Sequence, residues 1–145
     1  MNSKLNVKQW LVASVAVFVV LSILEFLVGR LVIGPWAAQL FPSDLQTEDA
    51  VMMRVWAYLG RAVFSLMFVF VFTRGYEGKP GVGEGLRYGL WIGLLIYLPQ
   101  FFMNMVIMHR PADFLAVRGL ASLIEVVVSG VIVAMIYKGQ QKATA

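Results

Sequence analysis

The sequence predicts an all-α fold, a four-transmembrane-helix bundle with both ends of the chain in the cytoplasm. Three observations carry that expectation. Four apolar stretches, residues 10–33, 50–73, 85–108 and 112–137, each reach the roughly 20 residues that cross the hydrocarbon core of a bilayer. The segments between them collect glycine, proline and charge. No stretch alternates apolar and polar residues as a half-buried strand would.

The composition agrees. The chain has 145 residues, 60% hydrophobic and 14% charged, with a mean hydropathy of +0.79. A soluble domain carries about 25% charged residues. Four spans leave no room for a large soluble domain, so residues 1–145 are expected to form a single integral membrane domain. Cysteine is absent and His109 is the one histidine. Disulfides, thiolate metal sites, iron–sulfur clusters and a bis-histidine haem within one chain are thereby excluded. No metal and no cofactor is expected. The net charge of +4 is spread along the chain without a Lys/Arg run, so no nucleic-acid partner is expected either.

Span 1 follows Lys4 and Lys8. Its apolar run is too long for a signal peptide and lacks a small-x-small cleavage site, so it is read as an uncleaved helix. Gly34, Pro35 and Pro42 are expected to break it. The segment from Trp36 to Asp49 turns from apolar to acidic (Asp44, Glu48, Asp49), with room for a short interfacial helix, and Thr47 or Asp49 would cap span 2. After span 2, Gly75, Gly78, Pro80, Gly81 and Gly83 argue for a loop over residues 74–84. Pro99 is expected to kink span 3. His109-Arg110-Pro111 makes a tight turn into span 4.

Loop charge sets the orientation. Lys4, Lys8, Arg74, Lys79, Arg87, Lys138 and Lys142 would share one side; Arg110, Asp44, Glu48, Asp49 and Asp113 would share the other. The positive-inside rule places the first set in the cytoplasm and the protein in the inner membrane.

The charges within the spans are the candidate functional residues. Counted from helix ends, they form two layers. Arg30, Arg54 and Arg118, with Asn104, lie toward the outer surface. Glu25, Arg61 and Glu125, with Gln100, lie deeper. A charge at the centre of a span costs about 2.5–3.5 kcal/mol on insertion, so these groups are expected to face inward and pair, Arg61 with Glu125 or Glu25. The cluster either fixes helix packing or forms an ion, proton or anionic-ligand site. Arginine's planar fork also suits the outer layer to the phosphate of an anionic lipid.

Gly85, Gly89 and Gly93 recur every four residues and leave a smooth stripe for a second helix, in this chain or another. Gly130 and Ala134 repeat the pattern more weakly on span 4. The glycine-rich residues 78–85 lack the GxxxxGK[ST] pattern of a phosphate loop. Met103, Met105 and Met108 read as apolar gap-fillers. No Ser–His–acid or metal-hydrolase constellation points to a catalytic residue, although Glu25 and Glu125 form a conceivable acid/base pair.

The segments Arg74-Gly75-Tyr76-Glu77-Gly78-Lys79 and Glu84-Gly85-Leu86-Arg87-Tyr88-Gly89-Leu90, followed by Gly93, resemble small four-helix bacterial inner-membrane proteins of unknown function. The resemblance implies a fold and a location, and no activity. Four spans with a glutamate in the first also suggest small multidrug exporters, but this chain is longer, its glutamate lies too far along span 1, and its arginines have no counterpart there. Two functions remain: a non-enzymatic packing or accessory subunit of a membrane assembly or homo-oligomer, or a small transporter or anionic-ligand-binding protein that uses Glu25, Arg61 and Glu125.

Overall fold

A computed structural model describes residues 6–40, 50–75, 81–107 and 110–141, and the described backbone is helical with no strand. Helix α1 spans Val7–Val28, and a π-helical turn over Gly29–Ile33 continues it into α2, Gly34–Leu40. Helices α3, α4 and α5 span Ala50–Gly75, Val82–Ile107 and Ala112–Gln141. Four helical segments are long and apolar enough to cross a membrane: Val7–Leu40, Met52–Gly75, Val82–Ile107 and Ala112–Tyr137. An apolar helix in lipid satisfies its own backbone, which is why residues rich in Val, Ile and Phe adopt it despite modest intrinsic propensity. The chain divides after Gly75 into two compact units, each a helical hairpin.

In the first unit, Asn6 opens α1 with its side-chain oxygen accepting from the Gln9 N–H at 3.3 Å. Ala13, Ser14, Val17 and Leu21 make a buried stripe on α1. On α3, Ser65, Phe68, Val69 and Phe72 fall at i, i+3, i+4 and i+7 and are buried. The two helices pack antiparallel. The Trp10 indole N–H donates to the Leu66 carbonyl at 3.1 Å and ties the start of α1 to the later part of α3.

Span 1 does not break at Gly34 and Pro35. The Gly34 N–H reaches back five residues to the Gly29 carbonyl, and this wider turn carries the chain into α2 with Pro35 in its first turn. Proline is tolerated there because the first turn of a helix has little use for its N–H. The position before it requires glycine: a Cβ on Gly34 would lie 2.5 Å from the Gly29 carbonyl oxygen. Pro42, the cap at Thr47 or Asp49 and the acidic residues 44–49 lie outside the described residues.

In the second unit, α4 begins at Val82 rather than after residue 84. Gly81, at φ 124°, makes the turn that glycine alone adopts readily, and the Glu84 N–H bonds the Gly81 carbonyl at 3.2 Å. Glu84 then sits in the first turn, where a negative charge favours the helix dipole. Helix α4 runs on through Pro99 to Ile107. The Asp113 carboxylate accepts the Phe114 N–H at 2.8 Å in the first turn of α5.

Helices α4 and α5 approach closely enough for their backbones to touch. A Cβ on Gly85 would lie 2.7 Å from Val131 Cα, and one on Gly89 would lie 2.6 Å from Val127 Cα. Gly93 faces the side chain of Leu123 instead. All three glycines are buried, as are Gly130, Val133 and Ala134 on α5. The stripe on span 3 thus serves packing inside this chain.

Candidate functional site

In the first unit one acidic residue, Glu25, meets Arg61. The Arg61 guanidinium forms an ion pair with Glu25 and donates to the Ser22 hydroxyl at 3.3 Å. The same group lies 5.2 Å from the centre of the Tyr58 ring, within range of a cation–π contact. Tyr58 is seated in turn against Phe18, with ring centres 6.5 Å apart. The Ser65 hydroxyl donates to the Arg61 carbonyl at 2.8 Å. Only 13% of the Arg61 side chain is exposed, against 49% for Glu25. The arginine is the shielded partner and the carboxylate is the one other molecules can reach.

Helical geometry explains the arrangement. Ser22 and Glu25 are three residues apart on α1, and Tyr58 and Arg61 are three apart on α3, so each helix presents a pair of side chains on one face. A hydroxyl, a carboxylate and a ring then surround one guanidinium. Neither Ser22 nor Tyr58 stands out among the apolar residues of its span, yet the three-residue spacing that brings each beside a charge is present in the sequence.

The outer arginines differ from the expected inward arrangement. Arg30, Arg54 and Arg118 are exposed, and so is Gln100, while Asn104 is half-buried. Arginine near a helix end can lay its stem along apolar surface and extend its head to water or headgroups, so it gains nothing by turning inward. Arg30 falls in the π-helical turn.

In the second unit, Glu125 is buried on α5, one turn before the buried Ser129, whose hydroxyl donates to the Glu125 carbonyl at 2.8 Å. Tyr97 on α4 stands beside Ser122, with Glu125 and Arg118 in electrostatic range. Among the described residues, no three of His, Asp, Glu and Cys gather in a way that could hold a metal ion. His109 and Met108 lie outside the described residues; Met103 and Met105 are exposed.

In chemical terms, the described part of the first unit holds a neutralised pair with an accessible carboxylate, and Lys8, Arg30, Arg54 and Arg74 as further exposed cations. The second holds a sheltered carboxylate beside a phenol and two serines. Comparison with known families matches residues 9–134 to the model described as a protein of unknown function, DUF1761. Neither the curated proteins nor the solved structures gave a match.

Proposed function

The chain belongs to the DUF1761 family, proteins of unknown function, and from that premise we propose a non-enzymatic role as a packing or accessory subunit of a membrane assembly, with copies of itself or with other membrane proteins. The observation that carries this reading is the use made of Arg61. Its charge is engaged by Glu25, Ser22 and Tyr58 inside one hairpin, an arrangement suited to fixing helix register. The close glycine contact of α4 and α5 is likewise a packing device.

Within this proposal the Glu25–Arg61 pair lies in the membrane. The protein is a multi-pass component of the bacterial inner membrane with both termini in the cytoplasm. The distribution of Lys and Arg and the resemblance of residues 74–93 to small inner-membrane proteins support that placement.

Purification of the full chain in mild detergent, followed by native mass measurement and identification of co-purifying proteins, tests the role. The expected result is a defined homo-oligomer or a stoichiometric membrane partner. A lone monomer under conditions that preserve the fold would overturn it.

A second reading rests on the half-exposed Glu25 carboxylate. There the pair belongs to a small transporter or an anionic-ligand-binding protein, and exchange of Arg61 for a cation or proton at Glu25 would be its working step. Ion uptake into vesicles that vanishes in Glu25→Gln would favour it over the packing role.

A further inference from the structure

We infer that Glu25 of one copy of this chain accepts a hydrogen bond from the Gln100 side-chain amide of a second copy, within the membrane. The inference rests on the assembly reading and on the proposed topology, and it names the contact between copies.

The first argument is the unengaged half of the Glu25 carboxylate. Arg61 holds Oε2. Oε1 takes no hydrogen bond from any described residue, and the side chain is 49% exposed. Glu25 lies eight residues before the end of the apolar stretch 10–33, about 12 Å below the outer surface. Hydrocarbon at that depth offers the oxygen no water, and a polar group without a partner there is costly.

The second is the chemistry of Gln100. It is exposed on α4, and its side chain makes no hydrogen bond among the described residues. Its amide carries two N–H donors, and an ionised carboxylate accepts only. Glutamine side chains in membranes join helices through such bonds.

Depth is the third. Glu25 and Gln100 are each the sixteenth residue of their apolar stretches, 10–33 and 85–108. Each is also the nineteenth residue of its helix, counted from Val7 in α1 and from Val82 in α4. The first and third crossings run in the same direction, so equal counts are equal depths. Two copies in one membrane are related by an axis along its normal, which leaves depth unchanged. In a two-fold contact residue i meets j while j meets i, so the two groups must share a level, as Glu25 and Gln100 do. Exposed apolar side chains supply the packing around the bond: Phe26 next to Glu25, and Ile96 and Met103 about one turn before and after Gln100.

The test uses the full chain, which has no cysteine of its own. Differently tagged copies of Phe26→Cys and Met103→Cys are co-expressed and oxidised in the membrane. The expected result is a cross-link between the two tagged chains. Val15→Cys, also exposed on α1 but eleven residues before Phe26 and so about 17 Å away in depth, should give none with Met103→Cys. Self-association in lipid vesicles is then read by energy transfer between copies fused to two fluorescent proteins. Gln100→Leu and Glu25→Leu should each weaken it about tenfold, and the double variant should be little weaker than either. If Glu25→Leu does not fold because Arg61 is left alone, Gln100→Leu and Gln100→Glu decide, the latter setting two carboxylates against each other. Wild-type self-association that Gln100→Leu leaves unchanged, or a stoichiometric partner of another kind with no cross-link between copies, overturns this contact and leaves the assembly reading standing. A wild-type chain that stays monomeric overturns both.

Discussion

Replacing Arg61 by methionine removes the ion pair with Glu25, the hydrogen bond to Ser22 and the ring contact with Tyr58 together. The carboxylate left behind must protonate or find water. Removing Glu25 alone strands the guanidinium, which is the more shielded group and so the costlier one to leave alone. A double-mutant cycle of Arg61→Met with Glu25→Gln, read by thermal unfolding in detergent, should show coupling of about 1 kcal/mol, toward the lower part of the range for contacting residues because Glu25 is half exposed. Additive single effects would mean that the two charges do not meet in solution. A second contrast separates two glycines of one turn. Gly34→Ala drives a methyl group into the Gly29 carbonyl and should destabilise by about 1–3 kcal/mol. Gly29→Ala meets nothing within 4 Å and should be neutral or slightly stabilising. Equal unfolding temperatures for the two variants would show that the wide turn is absent. Sequence could name Glu25 and Arg61 because charges in apolar spans are rare. It was silent on the π-helical turn because a five-residue glycine spacing before proline reads equally as a helix end.

At the scale of elements, the glycine contact predicts a graded response. Gly85 and Gly89 face backbone atoms of α5, which cannot move aside without moving the helix. Gly93 faces the end of the Leu123 side chain, which can rotate, and Gly83 faces open space. Alanine at Gly85 or Gly89 should therefore lower stability by about 1–3 kcal/mol. Gly93→Ala should cost less, and Gly83→Ala should show no steric loss. Gly89→Leu should separate the hairpin outright. Unfolding temperatures in one detergent rank the series, and a flat ranking would sink the proposed backbone contact. The four-residue spacing was legible in the sequence, as were all four membrane-length helices. The starts at Ala50 and Ala112 were legible too, but two other boundaries were not. Gly34-Pro35 and Gly83-Glu84 look like breaks, whereas the π-helical turn and the turn at Gly81 let helix continue or begin there.

At the scale of the whole molecule, the proposed orientation rests on charge, because moving Lys and Arg across the membrane during insertion is disfavoured more than moving Asp and Glu. Lys8 precedes the apolar body of α1, Arg74 ends α3 and Arg87 lies near the start of α4. In the proposed topology these three and Lys4, Lys79, Lys138 and Lys142 make seven basic residues on the cytoplasmic side, against Arg110 and four acids, Asp44, Glu48, Asp49 and Asp113, on the other. Reporter fusions after Lys142 and within residues 78–83 should both report cytoplasm, and one next to Glu48 should report the opposite side. The fusion in residues 78–83 is the decisive one. It lies between two long apolar helices and so reads the even-numbered crossing, independently of either terminus. A periplasmic signal there would reverse the orientation of both hairpins and move Arg30 and Arg54 to the cytoplasmic leaflet.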